Sequence, residues 1–270
     1  MRRLPVAAFV ALVLATVAAF FVTQHLKVTT PLVAGDPAPV PSHINPVDGK
    51  TCVVYTRLGT SRVSFKRMRI SFYLLHRTDD VDVYIVDQNG VIVDTLASGR
   101  HLRKKVRSSF TWDGREDNGS VAPDGTYYIR VSLIHQGRSL LIANSAGAEP
   151  VVVETKPPPL VLTGVTPQTI SKAGAGAVTI SYTGNKGLRP RVLIYRVEAS
   201  GSVRLVKSYE ATSRAGHSSW NGTLQGGAPA PAGRYVVGLK LTDRACNTAT
   251  SPARLPPSPT SDPSAAVTVG

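Results

Sequence analysis

The sequence predicts an all-β protein in which two tandem β-sandwiches follow an N-terminal transmembrane helix. Three observations lead to this prediction: an apolar N-terminal run, short alternating strand patterns separated by turn residues, and an internal repeat of about 108 residues. The length of 270 residues is enough for two domains of ordinary size. The two cysteines are too few for a disulfide scaffold or a four-cysteine zinc site.

Residues 1–27 are predicted to form a signal anchor. Arg2 and Arg3 precede an apolar run from Leu4 to Val22, which would span about 28 Å as a helix, close to the roughly 30 Å of a bilayer core. The basic flank places the N-terminus in the cytoplasm and the rest of the chain outside. Residues 16–19 also resemble a cleavage site, so a retained anchor and a secreted, cleaved chain are both open.

Two further segments are rich in proline. Residues 28–47, with the run Asp36–Pro41, are expected to be an extended, semi-rigid stalk. Residues 251–270 are rich in Pro, Ser, Ala and Thr and are expected to be a disordered tail.

Residues 48–155 and 160–250 repeat one pattern, joined by a short proline linker at 156–159. Short alternating strands such as 81–86, bounded by turn residues, predict a β-sandwich in each copy, without sustained helical periodicity. Aromatic, glycine and proline positions recur at one offset and form a structural signature: Trp112, Gly114, Pro123, Gly125 and Tyr127 in the first copy, and Trp220, Gly222, Pro231, Gly233 and Tyr235 in the second.

The first copy resembles the immunoglobulin-like domain of the flagellar hook-capping protein, FlgD. The resemblance rests on Trp112–Gly119 (WDGREDNG) and Val121–Tyr127 (VAPDGTY). In the second copy the acidic turn residues are missing, and Asp243–Asn247 (DRACN) resembles the closing Asp-x-Ala-Gly-Asn of the family with cysteine in place of glycine. Over residues 60–150 and 165–250, the resemblance implies Ig-like, fibronectin-III-like sandwiches used as structural or adhesive modules. It does not imply a flagellar function, because the hook-binding region of the family is not evident.

Candidate chemistry is sparse. Asp113, Glu116, Asp117 and Asp124 cluster around one loop, but Arg115 occupies a position where an EF-hand needs an oxygen ligand, so turn chemistry is favoured over a metal site. The sequence has no Gly-x-Ser-x-Gly elbow, no His-Glu-x-x-His and no phosphate-binding loop. We therefore expect no enzyme activity, no catalytic residues, no metal and no cofactor.

The two cysteines leave three alternatives open. Cys52 and Cys246 could form a bridge in an exported chain, which requires the start of the first copy to lie near the end of the second. Free thiols and intermolecular disulfides are the other two.

The net charge of +14 comes mostly from the second copy, because residues 156–254 hold 13 basic and 3 acidic side chains. One basic stretch is a candidate for anion binding, with a solvated face as the alternative: Arg100, Arg103, Lys104, Lys105 and Arg107. Nucleic acid is not expected as a partner, because no aromatic residues alternate with the basic ones.

These observations favour a non-enzymatic, membrane-anchored extracytoplasmic bacterial protein that presents two Ig-like modules at the cell envelope. Its expected partners are the membrane and an anionic envelope polymer or another surface protein. The alternatives are an accessory or targeting module for an extracellular enzyme, a wall-polysaccharide binder and, with less support, a part of flagellar hook assembly.

Overall fold

The structure, a computed structural model, describes residues 3–29, 31–35, 38–56, 59–144, 147–148, 150–171, 176–258, 260 and 263–270. At residues 3–7, 23–29, 55–56, 143–144, 147–148 and 263 it describes the backbone only.

One helix, α1, spans Arg3–Thr29. Its described side chains, at residues 8–22, are all exposed, so this part of the helix does not pack against a sheet. No helix within the described residues has the length and apolar character that crossing a membrane requires.

The first sandwich packs two sheets around one core. The smaller sheet has the order β1-β5-β8 and the larger one β2-β13-β9-β6-β7, with β10 also pairing β9. Alternation along β9 buries every second residue from Tyr127 to Leu133, as expected for a strand with one face on the core. The strands are β1 (Val33–Ala34), β2 (His43–Ile44), β3 (Thr51–Thr56), β4 (Gly59–Ser64), β5 (Met68–Leu74), β6 (Asp79–Val86), β7 (Ile92–Leu102), β8 (Ser108–Trp112), β9 (Gly125–Leu133), β10 (Arg138–Leu141), β11 (Ala143–Asn144), β12 (Gly147–Ala148) and β13 (Val151–Val153).

The second sandwich repeats this topology. Its sheets have the orders β14-β16-β19 and β15-β22-β20-β17-β18, with β21 pairing β20. Each strand in these orders matches one of the first sandwich, so the repeat seen in the sequence is also a repeat of the fold. The strands are β14 (Val161–Thr166), β15 (Thr169–Ile170), β16 (Val178–Thr183), β17 (Arg191–Val197), β18 (Val203–Glu210), β19 (His217–Trp220), β20 (Gly233–Thr242), β21 (Thr248–Ser251) and β22 (Ala266–Val269); a short 3-10 helix, Pro263–Ala265, precedes β22.

The segment expected to be a stalk, residues 28–47, instead contributes β1 and β2 to the first sandwich. Leu32 and Ile44 are buried in its core, and β2 pairs in parallel with β13. Strand β2 has only two residues and lies between Pro41 and Pro46, so its sequence shows no alternating pattern. Hydrogen bonds with β13 define it as a strand. Residues 36 and 37 of the proline run lie outside the described residues.

The segment expected to be a disordered tail, residues 251–270, instead ends in β22. This strand pairs with β15 and β20, and it buries Val267 and Val269. Its alternation covers only four residues, too few to stand out in a segment rich in Pro and Ser. The second sandwich therefore extends beyond residue 250.

The hairpin β3–β4 is a separate two-stranded sheet between β2 and β5 of the first sandwich. In the second sandwich the equivalent connection, from β15 to β16, is residues 171–177. The hairpin is thus an addition to the repeated fold, and it carries Cys52.

Candidate functional site at the junction of the two sandwiches

The aromatic residues of the signature are core residues in both sandwiches. Trp112 Nε1 donates to the Arg115 carbonyl over 2.7 Å, and the ring lies 5.2 Å from the Tyr127 ring. The Tyr127 hydroxyl donates to the Pro123 carbonyl over 2.7 Å. Buried indole and phenol groups usually find such partners.

The second copy makes the same contacts. Trp220 Nε1 donates to the Thr223 carbonyl over 2.8 Å, and the Tyr235 hydroxyl donates to the Pro231 carbonyl over 2.6 Å. The two rings are again 5.2 Å apart. The four rings of the signature are therefore core residues whose polar atoms donate to backbone carbonyls.

The glycines of the signature lie where the backbone turns or where a strand begins. Gly114 and Gly222 have φ of +78° and +73°, a region that favours glycine. A Cβ at Gly114 would also lie 2.7 Å from Pro46. Gly125 and Gly233 begin the equivalent strands β9 and β20.

The acidic loop residues accept hydrogen bonds, two within the turn and two from distant strands or loops. Asp113 accepts from the Arg115 amide over 3.1 Å, and Glu116 accepts from the side chain of Asn118. Asp117 accepts from the Thr95 amide over 2.9 Å and Asp124 from the Thr155 amide over 2.8 Å. The turn chemistry that the sequence predicted therefore describes Asp113 and Glu116, whereas Asp117 and Asp124 connect the loop to other segments.

One carboxylic acid that the sequence did not single out stands beside this loop. Burial raises the pKa of Asp94 to about 6, and a hydrogen bond and charge repulsion from Asp117 add to the effect. Only the fold brings these two residues together, since they are separated by strand β8 in the chain.

The candidate anion-binding residues occupy two places. Arg100 lies on β7, with its guanidinium 4.8 Å from the centre of the Phe110 ring. The other four are exposed in the loop between β7 and β8, here called the basic loop (residues 103–107): Arg103, Lys104, Lys105 and Arg107.

Cys52 and Cys246 form a disulfide that joins the two sandwiches. Their Cα atoms lie 6.3 Å apart, within the range for disulfides. Cys52 belongs to the hairpin β3–β4, and Cys246 to the Asp243–Asn247 loop after β20. Of the three alternatives left by the sequence, the structure contains the intramolecular bridge. Cys246 has a φ of +68°, which fits a position where the family has glycine.

A buried amide pair reinforces this junction. Asn45 Nδ2 donates to Asn247 Oδ1 over 2.6 Å, and both side chains are buried. Asn247 Nδ2 also donates to the Glu154 carbonyl at the end of the first sandwich over 2.9 Å. The resemblance could have indicated Asn247, whereas Asn45 lies in the supposed stalk and gave no signal.

Charged groups complete the junction. The Asp243 carboxylate accepts from the amides of Ala245 and Asn247 at 3.0 and 2.8 Å, which shapes the loop. Burial raises the pKa of Asp243, and these hydrogen bonds oppose the rise. Burial lowers the pKa of the neighbouring His43. Lys186 of the second sandwich lies 3.3 Å from Glu154 at the end of the first.

An open groove of about 990 Å³ runs beside the disulfide, between the hairpin and the second sandwich. Its apolar lining includes Val40, Val53 and Phe65, and Arg191 and Arg244 bring positive charge to it. The disulfide therefore borders a preformed groove to which both sandwiches contribute residues.

Comparison with known proteins identifies the first sandwich. Residues 60–137 match the family model described as the FlgD Ig-like domain. The basal-body rod modification protein FlgD of Escherichia coli K12 is 40% identical over 68 residues, which are 25% of this chain and 29% of that protein. The Salmonella typhimurium LT2 protein of the same name is 38% identical over 63 residues, 23% and 26% of the two chains.

The chain thus spans less than a third of the length of the curated relatives it matches. A crystal structure of dimeric latent PorU from Porphyromonas gingivalis covers 84% of this chain and 18% of its own, at 13% identity and a TM-score of 0.28. Residues 60–137, which include Trp112, Tyr127 and their core contacts, are thus similar to the FlgD Ig-like domain.

Proposed function

We propose that this chain is a non-enzymatic, membrane-anchored extracytoplasmic protein that holds two Ig-like sandwiches in one fixed orientation, for a structural or binding role at the cell envelope. The observation that carries the proposal is the disulfide between Cys52 and Cys246, which ties the sandwiches together at their junction. Independent modules on a flexible linker would have no need of such a tie.

The disulfide also supports export. Structural disulfides persist in oxidising compartments such as the periplasm and the cell surface, and are rare in the cytosol. The basic residues Arg2 and Arg3 ahead of the apolar run from Leu4 to Val22 support an anchor whose N-terminus stays in the cytoplasm. The exposed side chains of α1 at residues 8–22 leave an apolar surface that a bilayer would cover.

A binding or structural role, as opposed to an enzymatic one, is supported by how the polar residues are used. Asp113 of the acidic loop stabilises a turn, Asp117 connects the loop to strand β7, and the Asn45–Asn247 pair connects the two sandwiches. In the described part of the chain every buried side-chain nitrogen or oxygen has a hydrogen-bond partner. These polar groups therefore stabilise the fold through their hydrogen bonds, which supports a structural role for them.

Cell fractionation combined with thiol trapping tests the proposal. In a bacterial host the full chain should sediment with membranes, resist alkaline extraction and leave the C-terminus open to added protease in spheroplasts. Under denaturing, non-reducing conditions it should present no free thiol to a maleimide, whereas a Cys52→Ser variant should present one. A reduced protein in the cytosol would contradict both parts of the proposal.

A second role, binding of an anionic wall polymer, is favoured by the charge of the second sandwich. Residues 156–254 carry 13 basic and 3 acidic side chains, and Arg189, Arg191 and Lys240 line one cavity of that sandwich with a single carboxylate, Glu210. Salt-sensitive retention of the chain on purified envelope polymers would support this role. Binding to such a polymer would also be consistent with an accessory or targeting module of an extracellular enzyme. A part in flagellar hook assembly has less support, because the match to FlgD covers the Ig-like region alone.

A further inference from the structure

The basic loop lies beside the point where the chain enters the first sandwich from α1. Val33 pairs with Leu74, and the Lys105 amide donates to the Leu74 carbonyl over 2.9 Å from the other side. Neighbouring strands are about 4.8 Å apart, so the Lys105 backbone lies within about 10 Å of Val33. Val33 follows Thr29, the last residue of α1, by only four positions.

Side-chain contacts tie the loop to the same place. A Cβ on Gly35 would lie 3.3 Å from a guanidinium nitrogen of Arg107, so this charge lies directly against the segment after α1. The Lys104 amide donates to the Thr78 hydroxyl over 3.1 Å, which fixes the loop at the end of β5 and the start of β6. The loop is therefore held by its backbone while its charged side chains stay exposed.

The described residues do not neutralise the positive charge of the loop. Among them, no carboxylate lies within 4 Å of the nitrogens of its four basic side chains. Asp79 and Asp80 have other partners: Asp79 is buried and accepts from His135 and Gln136, and Asp80 lies 2.7 Å from His101. The four basic side chains of the loop are themselves exposed.

We propose that the basic loop binds the anionic phosphate headgroups of the bilayer that holds α1 and so seats the first sandwich on the membrane surface. The inference rests on the proposed anchor. Clusters of Lys and Arg next to a membrane segment are attracted to anionic lipid within about a Debye length, roughly 10 Å. The loop meets this condition through the fold, although it follows α1 by more than seventy residues in the sequence.

Seating at this end would direct the junction away from the membrane. Strand β9 runs from Gly125, which pairs with Val153 next to the linker, to Leu133, which pairs with Val81 near the basic loop. Nine residues of strand cover about 26 Å. The groove and the second sandwich would thus be presented to the outside, which fits a role in binding there.

Amine labelling of the full chain in lipid nanodiscs tests this inference. Discs of phosphatidylcholine alone are compared with discs that also contain phosphatidylglycerol, and acetylation of Lys104 and Lys105 is measured by mass spectrometry. Exposed Lys156 in the linker serves as an internal reference. Lys104 and Lys105 should be labelled several-fold more slowly in the anionic discs, the difference should vanish in high salt, and Lys156 should not change.

A charge-matched pair of variants separates the loop from net charge. Arg103→Gln with Arg107→Gln should weaken the protection of Lys104 and Lys105, whereas Arg234→Gln with Arg254→Gln removes the same charge from exposed positions of the second sandwich and should leave the protection unchanged. Equal labelling of Lys104 and Lys105 in both kinds of disc would overturn the inference while leaving the anchor intact. A chain that fails to copurify with either disc would overturn the anchor, and the inference with it.

Discussion

The side-chain amide of Asn45, in the first sandwich, donates to the side-chain oxygen of Asn247, in the second, over 2.6 Å in a buried environment. Asn45 also accepts from the amides of Val47 and Asp48, and Asn247 donates to the carbonyl of Glu154. Through these hydrogen bonds the two residues connect three chain segments, around residues 45–48, 154 and 247.

Breaking this pair should destabilise the protein non-additively. Asn45→Ala or Asn247→Ala alone leaves buried polar partners unsatisfied and should lower the free energy of unfolding by about 1–3 kcal/mol. The double variant should lose less than the sum, with a coupling energy of about 1 kcal/mol by denaturant titration. The control pairs Asn247→Ala with Asn89→Ala in the exposed β6–β7 turn and should be additive; additivity in the Asn45 cycle would show that the bond contributes nothing.

The backbone at Cys246 predicts an order among its replacements. Its φ of +68° is strained for any residue with a Cβ. In a Cys52→Ser background, where no disulfide can form, Cys246→Gly should be more stable than Cys246→Ala by about 1 kcal/mol. Thermal unfolding of the two variants measures the difference, and an equal or reversed order would rule out the left-handed conformation.

Two glycines of the acidic loop should respond differently to alanine. Gly114 and Gly119 both have positive φ, but a Cβ at Gly114 would meet Pro46 at 2.7 Å, whereas at Gly119 it would meet nothing within 4 Å. Gly119→Ala should therefore lose about 1 kcal/mol from backbone strain alone. Gly114→Ala should lose a further 1–3 kcal/mol, approximately the penalty for overpacking.

Chemical denaturation of these two variants also tests whether Pro46 packs on the first sandwich. Equal losses at Gly114 and Gly119 would mean that the segment around Pro46 does not lie against the core and behaves as the stalk expected from its sequence.

Asp94 should make stability depend on pH. Burial raises its pKa to about 6 in the folded state, against an ordinary value of 3.8, so between these values the folded state holds a proton that the unfolded state has lost. Stability from this group is therefore greatest below about pH 4 and is lost as the pH rises through about 6.

Replacing Asp94 by Asn should remove this dependence. Because the side chain is partly exposed and solvent screens its charge, the gain at neutral pH should be about 1 kcal/mol. Melting temperatures of Asp94→Asn and the unaltered chain should differ at neutral pH and converge in mild acid. The exposed Asp48→Asn change serves as a control, and a constant difference across the pH range would contradict the assignment.

Much of the fold could be predicted from the sequence, because its signals are local or repeated. The strand around Tyr127 alternates over seven residues, and the ring positions Tyr127 and Tyr235 recur at one offset. Alternation of this length is distinct from helical periodicity. The recurrence of five signature positions at one offset indicates a duplicated unit. The assignment of residues 60–137 to the FlgD Ig-like family was likewise readable from the turn motif.

What the sequence could not reveal depends on partners distant in the chain. Strands β2 and β22 have two and four residues, and only pairing with β13 and with β15 and β20 defines them. The Asn45–Asn247 contact joins residues 202 positions apart, and the disulfide joins residues 194 positions apart. No local pattern encodes such contacts, so the bridge stayed one of three alternatives until the fold was known.

The central claim is that the junction fixes the two sandwiches relative to each other, and the most direct measurement is the distance distribution between them with the disulfide formed and removed. Spin or fluorescence labels on an exposed strand of each sandwich, in the full chain, should give one narrow distribution when oxidised. Removal by Cys52→Ser should broaden it and lower the free energy of unfolding by about 2–4 kcal/mol. A distribution that is equally broad with and without the disulfide would contradict the claim.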